Sequence, residues 1–179
     1  MLILIFRARI RFEFVYIRLT NLRKREYNKF AMEWLNFYGL IFLILIMLPN
    51  IVFAATHKAG FENSYRNKYA EIFEQIGRAG CFSFIFIQLP PLVKGFYFRC
   101  ALIFYLAVGG ALTLTYLAGW VLLWKENSVR KSLLLSIVPS ALFLSCCAFT
   151  LNYPLLVSAA IFAPCHILIS YKNAKKGKK

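Results

Sequence analysis

The stretch ALIFYLAVGGALTLTYLAGWVLLW, residues 101–124, decides the fold class of this chain. It contains no charged side chain, and it is longer than the roughly 20 apolar residues that a helix needs to cross a bilayer core. Its apolar residues follow no period of two or of 3.6, which is typical of a helix surrounded by lipid. The stretch therefore predicts a membrane-spanning helix.

The composition of the whole chain points the same way. Of the 179 residues, 60% are hydrophobic and 17% are aromatic, which is well above the apolar share of a soluble domain. Only 16% are charged, and all seven acidic residues are Glu. So few charges could not cover the surface of a soluble protein of this size. We predict an all-α fold, a polytopic bundle of transmembrane helices.

Five segments are apolar enough to be predicted as spans. The second lengthens if Lys94 extends its ammonium group to the interface, and a short turn with Asn152 and Pro154 joins the last two. The spans are residues 34–55, 79–98, 101–124, 132–151 and 155–169 of a transmembrane domain over residues 32–171, with a basic tail at 172–179.

Residues 61–78 between the first two spans predict an amphipathic helix. Phe61, Tyr65, Tyr69 and Ile72 lie on one arc of it, and Glu74 precedes Arg78 by four residues, the favourable order for an ion pair. Two interpretations stay open. The helix lies in the membrane interface, or it packs on the cytoplasmic ends of the protein's own spans.

The positive charges predict the orientation. Loops one and three and the tail hold twelve Lys and Arg residues, whereas loops two and four hold two. The positive-inside rule places the richer set in the cytoplasm, so five spans put the N-terminus outside. The predicted location is a bacterial plasma membrane.

The N-terminal extension, residues 1–31, conflicts with that orientation because it carries eight positive charges. We therefore expect translation to begin at Met32, or residues 1–31 to be a disordered basic arm. In an alternative, "LIMLPNIVFAAT" is a signal-peptide cleavage region, and cleavage after Ala54 leaves four spans.

Polar groups inside predicted spans are candidate functional residues, because they are costly in lipid. No nucleophile–base pair, metal-ligand motif or phosphate-binding loop is found in the sequence, so no catalytic residue, cofactor or metal is predicted. The candidates are Glu71, Glu74, Arg78, Gln88, Thr113, Thr115, Tyr116 and His166.

The sequence contains partial matches to the motifs of one class of membrane enzyme. Membrane-embedded CAAX-type proteases carry EExxxR, FxxxH and a further His. "FEQIGR" supplies Glu74 and Arg78, and "FAPCH" supplies Phe162 and His166. Phe73 stands where the first Glu should be and a third motif is missing, so we interpret these matches as coincidental.

Two kinds of partner are predicted, and nucleic acid is not one of them. The net charge of +15 lies between and beyond apolar runs, which favours anionic lipid headgroups. Ala107, Ala111, Thr115 and Gly119 form a stripe of small residues that suits packing within the bundle or a homo-oligomer; a membrane protein partner is also possible on composition.

The run "GFENSYRNKYAEIFEQIGRAGCF" and the five-span layout resemble small, uncharacterised bacterial multi-pass membrane proteins, over about Met32 to Asn173. The resemblance implies no catalytic or binding residue. We predict a non-enzymatic accessory or interaction protein, with an oligomeric transporter or channel subunit as the alternative and a membrane-embedded enzyme least favoured. Transport predicts a cavity lined by Gln88, Thr113, Thr115 or Tyr116. An enzyme predicts convergence of Glu71, Glu74, Arg78 and His166.

Overall fold

The fold is all-α, as predicted. A computed structural model describes residues 34–56, 65, 67–126 and 128–176, and the predictions for residues 1–31 lie outside these ranges. The chain divides into two compact units, Met1–Leu35 and Asn36–Lys179, and every helix below belongs to the second. Its described residues form α1 (Phe37–Thr56), α2 (Lys68–Phe84), α3 (Ala101–Leu122), α4 (Val129–Thr150) and α5 (Tyr153–Lys176).

Four of these helices, α1, α3, α4 and α5, are long and apolar enough to cross a membrane. The protein is therefore a multi-pass membrane protein. Their side chains are mostly apolar on every face, so each face can contact lipid or another helix. Turn and capping residues lie at their ends. Ser128 caps α4 by accepting a hydrogen bond from the Lys131 amide, and Asn152 caps α5 by accepting one from the Leu155 amide.

Helix α2 differs from both predictions made for its region. The predicted span at residues 79–98 is wrong as a single helix, because α2 ends at Phe84 and a 3₁₀ turn, Pro90–Leu92, follows. Two consecutive prolines cannot continue an α-helix, and Gly95 adopts a left-handed φ of 74°. Within the described part of the chain, the predicted amphipathic helix at residues 61–78 begins at Lys68. It continues without a break into the start of the predicted span at residues 79–98, and together they form α2.

The apolar arc of α2 faces away from the bundle. Tyr69, Ile72, Phe73 and Ile76 are exposed, whereas Glu74, Gly77 and Cys81 are buried against other helices. This is the reverse of a soluble amphipathic helix and suits an element whose outer side contacts lipid.

Hydrogen bonds at both ends of α2 show that it runs antiparallel to α5. The Tyr65 amide donates to Asn173 Oδ1 over 2.8 Å, and Asn152 Nδ2 donates to the Phe84 carbonyl over 2.8 Å. The bundle thus has an Asn152 end, which holds Asn152 and Phe84, and a Lys131 end, which holds Lys131 and Asn173.

The remaining helices alternate between the same two ends. At the Asn152 end, the Asn36 amide donates to the Phe86 carbonyl and its side chain donates to Tyr105 Oη at 3.0 Å. At the Lys131 end, Phe53 packs on Trp120 with centroids 5.0 Å apart. Helices α1, α3 and α5 therefore run towards the Lys131 end, and α2 and α4 run back. Because α2 is not among the four helices long and apolar enough to cross a membrane, the predicted count of five spans is not reproduced among the described residues.

Candidate functional site: a cleft at the Lys131 end

A cleft of about 1130 Å³ opens between the helices at the Lys131 end, and all five helices contribute to its walls. It is at the upper end of the size range of small-molecule sites. Helix α4 contributes one face to it, with positions three or four residues apart. These are Ser128, Lys131, Ser132, Leu135, Pro139 and Phe143.

That face of α4 changes from polar to apolar along its length. Ser128, Lys131 and Ser132 lie at the helix start, and Leu135 and Phe143 follow towards the bundle centre. From residue 128 to residue 143 the helix rises by about 22 Å. This is more than the thickness of the hydrocarbon layer of one leaflet, which is roughly 15 Å. The cleft is therefore polar at its mouth and apolar in its depth.

Helix α5 repeats this gradient in the opposite chain direction. Phe162 lies deep in the cleft, His166 is one turn nearer the mouth, and Ser170 and Asn173 are at the mouth. Because α5 is antiparallel to α4, the polar ends of both faces meet at the Lys131 end.

Three phenyl rings form what we call the aromatic floor, the deep end of the cleft. Phe143 is fully buried and packs on Phe82 and Phe162, with centroid distances of 6.2 and 5.7 Å. These contacts join α2, α4 and α5, so the floor is a packed junction of three helices.

Lys131 lies in an aromatic wall of the cleft. Its ammonium group is 5.0 Å from the centroid of Phe53 and 5.2 Å from that of Trp120, and it donates a 3.0 Å hydrogen bond to the Trp124 carbonyl. Only 9% of the residue is exposed. No carboxylate of the described residues lies within ion-pair distance of it. The rings and the carbonyl thus stabilise a nearly buried cation without neutralising it.

Beside the cleft, Glu74 joins α2 to α5. It is 4% exposed, it forms an ion pair with Arg78 one turn later, and its Oε1 is 3.0 Å from His166 Nδ1. His166 in turn stacks on Phe162 with a centroid distance of 4.6 Å. A buried carboxylate needs such partners, because an unpaired one would be costly. The predicted Glu74–Arg78 pair is confirmed.

A smaller cavity of about 650 Å³ lies on the other side of this cluster and is also lined by Glu71 and Glu74. Arg78, His166, Ser170 and Asn173 line both cavities, so these residues of α2 and α5 lie between them.

The structure brings only some of the predicted residues together. Glu74, Arg78 and His166 converge, and Glu71 lines the smaller cavity beside them. Tyr116 lines the cleft and donates to Asn50 Oδ1 at 3.0 Å. Of the four residues named for an enzyme, three thus converge, and of the four named for transport, one lines the cleft.

Three other predicted residues lie away from the cleft. Gln88 is buried in the segment after α2. Thr113 is buried within α3, and its hydroxyl has no hydrogen-bond partner among the described residues. Thr115 is exposed and donates to the Ala111 carbonyl one turn earlier. In the predicted small-residue stripe, Ala107, Ala111 and Thr115 face outwards and only Gly119 is buried.

The two matched motifs of the CAAX-type protease pattern lie in contact in the structure. Their polar residues, Glu74 and His166, are 92 residues apart in the sequence. Phe73 is 52% exposed on the outer face of α2. It therefore adds nothing to the cluster where the pattern has its first Glu.

Lys131, Trp120 and Trp124 are not among the residues predicted from the sequence, where Lys131 counts only as one of the loop-three charges. The available signal was the polar-to-apolar change along residues 128–143 at helical spacing. Among the described residues, no group of three or more His, Cys, Asp or Glu is placed to hold a metal ion.

Comparison with known proteins supplies no relative. The chain matches no protein-family model, no curated protein and no solved structure.

Proposed function

We propose that this chain is a non-enzymatic accessory protein of a bacterial plasma membrane that binds an amphiphilic ligand in the cleft at its Lys131 end. The polar-to-apolar gradient shared by α4 and α5 is the observation that carries the proposal. A ligand with one polar and one apolar end would match both faces at once.

The apolar part of the cleft suits the acyl chain of such a ligand. Helices α1, α3, α4 and α5 are apolar over membrane-spanning lengths, and the deep part of the cleft lies between them. Each methylene group moved out of water into such a site contributes about 0.8 kcal/mol.

Native mass spectrometry of the full chain in a neutral detergent tests the proposal with dioctanoyl lipids, one neutral and one anionic. We expect one lipid bound per chain. Leu135→Phe narrows the cleft and should weaken binding by about tenfold, or 1.4 kcal/mol. Ile137→Phe is the matched control, because Ile137 is on the same helix, is 46% exposed and is not among the residues that line the cleft. Equal affinity of these two variants, or no retained lipid, contradicts the proposal.

A second candidate is a membrane-embedded hydrolase, supported by the Glu74–His166 contact. Glu74 would orient His166, which takes a proton from water as the water oxygen adds to an ester carbonyl and then returns it to the leaving alkoxide. This candidate predicts octanoate release from a dioctanoyl lipid by the wild type and none by His166→Ala. Absence of octanoate from the wild-type reaction rejects it.

A further inference from the structure

We infer that the ligand head bound in this cleft is the phosphate of a membrane lipid, held by Lys131 and Arg78. The inference rests on the proposed function, that the cleft binds an amphiphile, and adds the chemical class of its polar end.

Lys131 provides the first argument. A cation that is nine-tenths buried loses much of its hydration, and the loss is large unless other charges compensate. Two aromatic rings and one carbonyl compensate partly, and Glu126 acts on the ammonium group only from beyond ion-pair distance. An anion in the cleft would supply the missing charge at the place where the ammonium group already lies.

The charge balance of the cleft provides the second argument. Its lining includes Arg78, Lys125 and Lys131 but only one carboxylate, Glu126. Glu74, which is paired with Arg78, reduces the excess to one positive charge. A phosphate carries at least one negative charge at neutral pH and offers three strong acceptor oxygens, one more than a carboxylate has.

Arg78 can contribute although it is paired with Glu74. A guanidinium group has five N–H donors, and Arg78 contacts Glu74 through Nη2. The side chain is 38% exposed and lines the same cleft as Lys131, from α2 rather than α4. Guanidinium groups bind phosphate oxygens through paired hydrogen bonds.

The size and polarity of the cleft favour a lipid over free phosphate. A volume of about 1130 Å³ far exceeds what one phosphate fills, and the walls beyond Ser132 are mostly apolar. Free phosphate would leave this apolar surface in contact with water, whereas an acyl chain would cover it.

The test measures three ligands against the full-length protein in neutral detergent: dioctanoyl phosphatidate, dioctanoylglycerol and inorganic phosphate. The two lipids differ only in the phosphate. We expect phosphatidate to bind at least about tenfold more tightly than dioctanoylglycerol. We expect inorganic phosphate to bind far more weakly than phosphatidate.

Lys131→Met keeps the length of the side chain and removes its charge. It should remove most of the preference for phosphatidate over dioctanoylglycerol. Lys94→Met is the matched control, because Lys94 is exposed in the segment between α2 and α3, away from the cleft. The comparison of ligands on the wild type decides the question even if Lys131→Met does not fold.

Each outcome has one meaning. Equal binding of the two lipids overturns the inference and leaves the proposed function standing. Failure of both lipids to bind overturns the proposed function as well. Inorganic phosphate that binds as tightly as phosphatidate and loses affinity in Lys131→Met assigns the site to free phosphate and overturns the lipid source.

Discussion

Glu74 is the residue on which the contact between α2 and α5 depends most. Glu74→Gln removes the negative charge that Arg78 and His166 share inside the protein. We expect a loss of about 3 kcal/mol in the free energy of unfolding, because breaking a buried ion pair leaves a cation uncompensated. Denaturant titration of the purified protein in detergent measures the loss.

Glu126→Gln is the control for this substitution. Glu126 is exposed, accepts a hydrogen bond from the Ser128 hydroxyl and interacts with Lys131 only from beyond ion-pair distance. It should change the free energy of unfolding by less than about 0.5 kcal/mol. Equal losses in both variants would show that Glu74 carries no special share of the stability.

Gly77 allows the backbones of α2 and α5 to approach closely. A Cβ atom at this position would lie 2.7–2.9 Å from the backbone nitrogen, Cα and Cβ of Phe162. Gly77→Ala should therefore destabilise the protein by about 1–3 kcal/mol, because backbone atoms cannot move aside. Thermal unfolding in detergent tests this, with Gly110→Ala as control, since nothing lies within 4 Å of a Cβ built there. Equal melting temperatures for the two variants would refute the close approach.

At this scale the sequence predicted the local pair and not its distant partner. The spacing of Glu74 and Arg78 is sufficient to predict their contact, because helix geometry fixes it. The contact of Glu74 with His166 depends on how α2 and α5 pack, and no local pattern encodes that. Lys131 was missed for the same reason, since its rings come from α1 and α3.

At the scale of elements, Asn152 connects two helix ends. Its Oδ1 caps α5 and its Nδ2 donates to the carbonyl at the end of α2, while the residue is 3% exposed. Asn152→Ala should cost about 2–4 kcal/mol, because it removes a cap and leaves a buried carbonyl without its partner.

Asn67 provides the comparison, because its Oδ1 caps α2 at a less buried position. Asn67→Ala should cost only about 1 kcal/mol, the usual value of a cap. Paired unfolding curves of the two variants measure the difference. A cost for Asn67→Ala equal to or above that for Asn152→Ala would contradict the double role of Asn152.

The helices that are apolar on all sides were predictable, and α2 was not. Residues 101–124 contain the whole of α3, because a long uncharged run has few other structures open to it in lipid. In α2, hydropathy indicated a span at residues 79–98, while Pro90 and Pro91 ended the helix earlier. Backbone chemistry prevailed there over hydropathy.

For the whole molecule, the alternating helices place the two ends of the bundle on opposite sides of the membrane. The described Lys and Arg residues of loop three and the tail gather at the Lys131 end, as Lys131 and the end of α5 indicate. By the positive-inside rule we propose that this end faces the cytoplasm.

Cysteine labelling tests that orientation. Cys100 is exposed next to the start of α3, at the Asn152 end, whereas Cys81, Cys146 and Cys147 are buried. A membrane-impermeant maleimide should label Cys100 in intact cells, because that end should lie outside. Cys100→Ser should abolish the labelling. Labelling of Cys100 only after permeabilisation would reverse the orientation.

The aromatic floor limits the length of the apolar tail that a ligand can place in the cleft. At the deep end of the cleft, Phe143 packs against Phe82 and Phe162. The packed rings leave no space there for a longer acyl tail. If the cleft holds a lipid, chain-length selectivity is set at the floor, and shortening Phe143 to Ala should shift the preferred tail towards longer homologues.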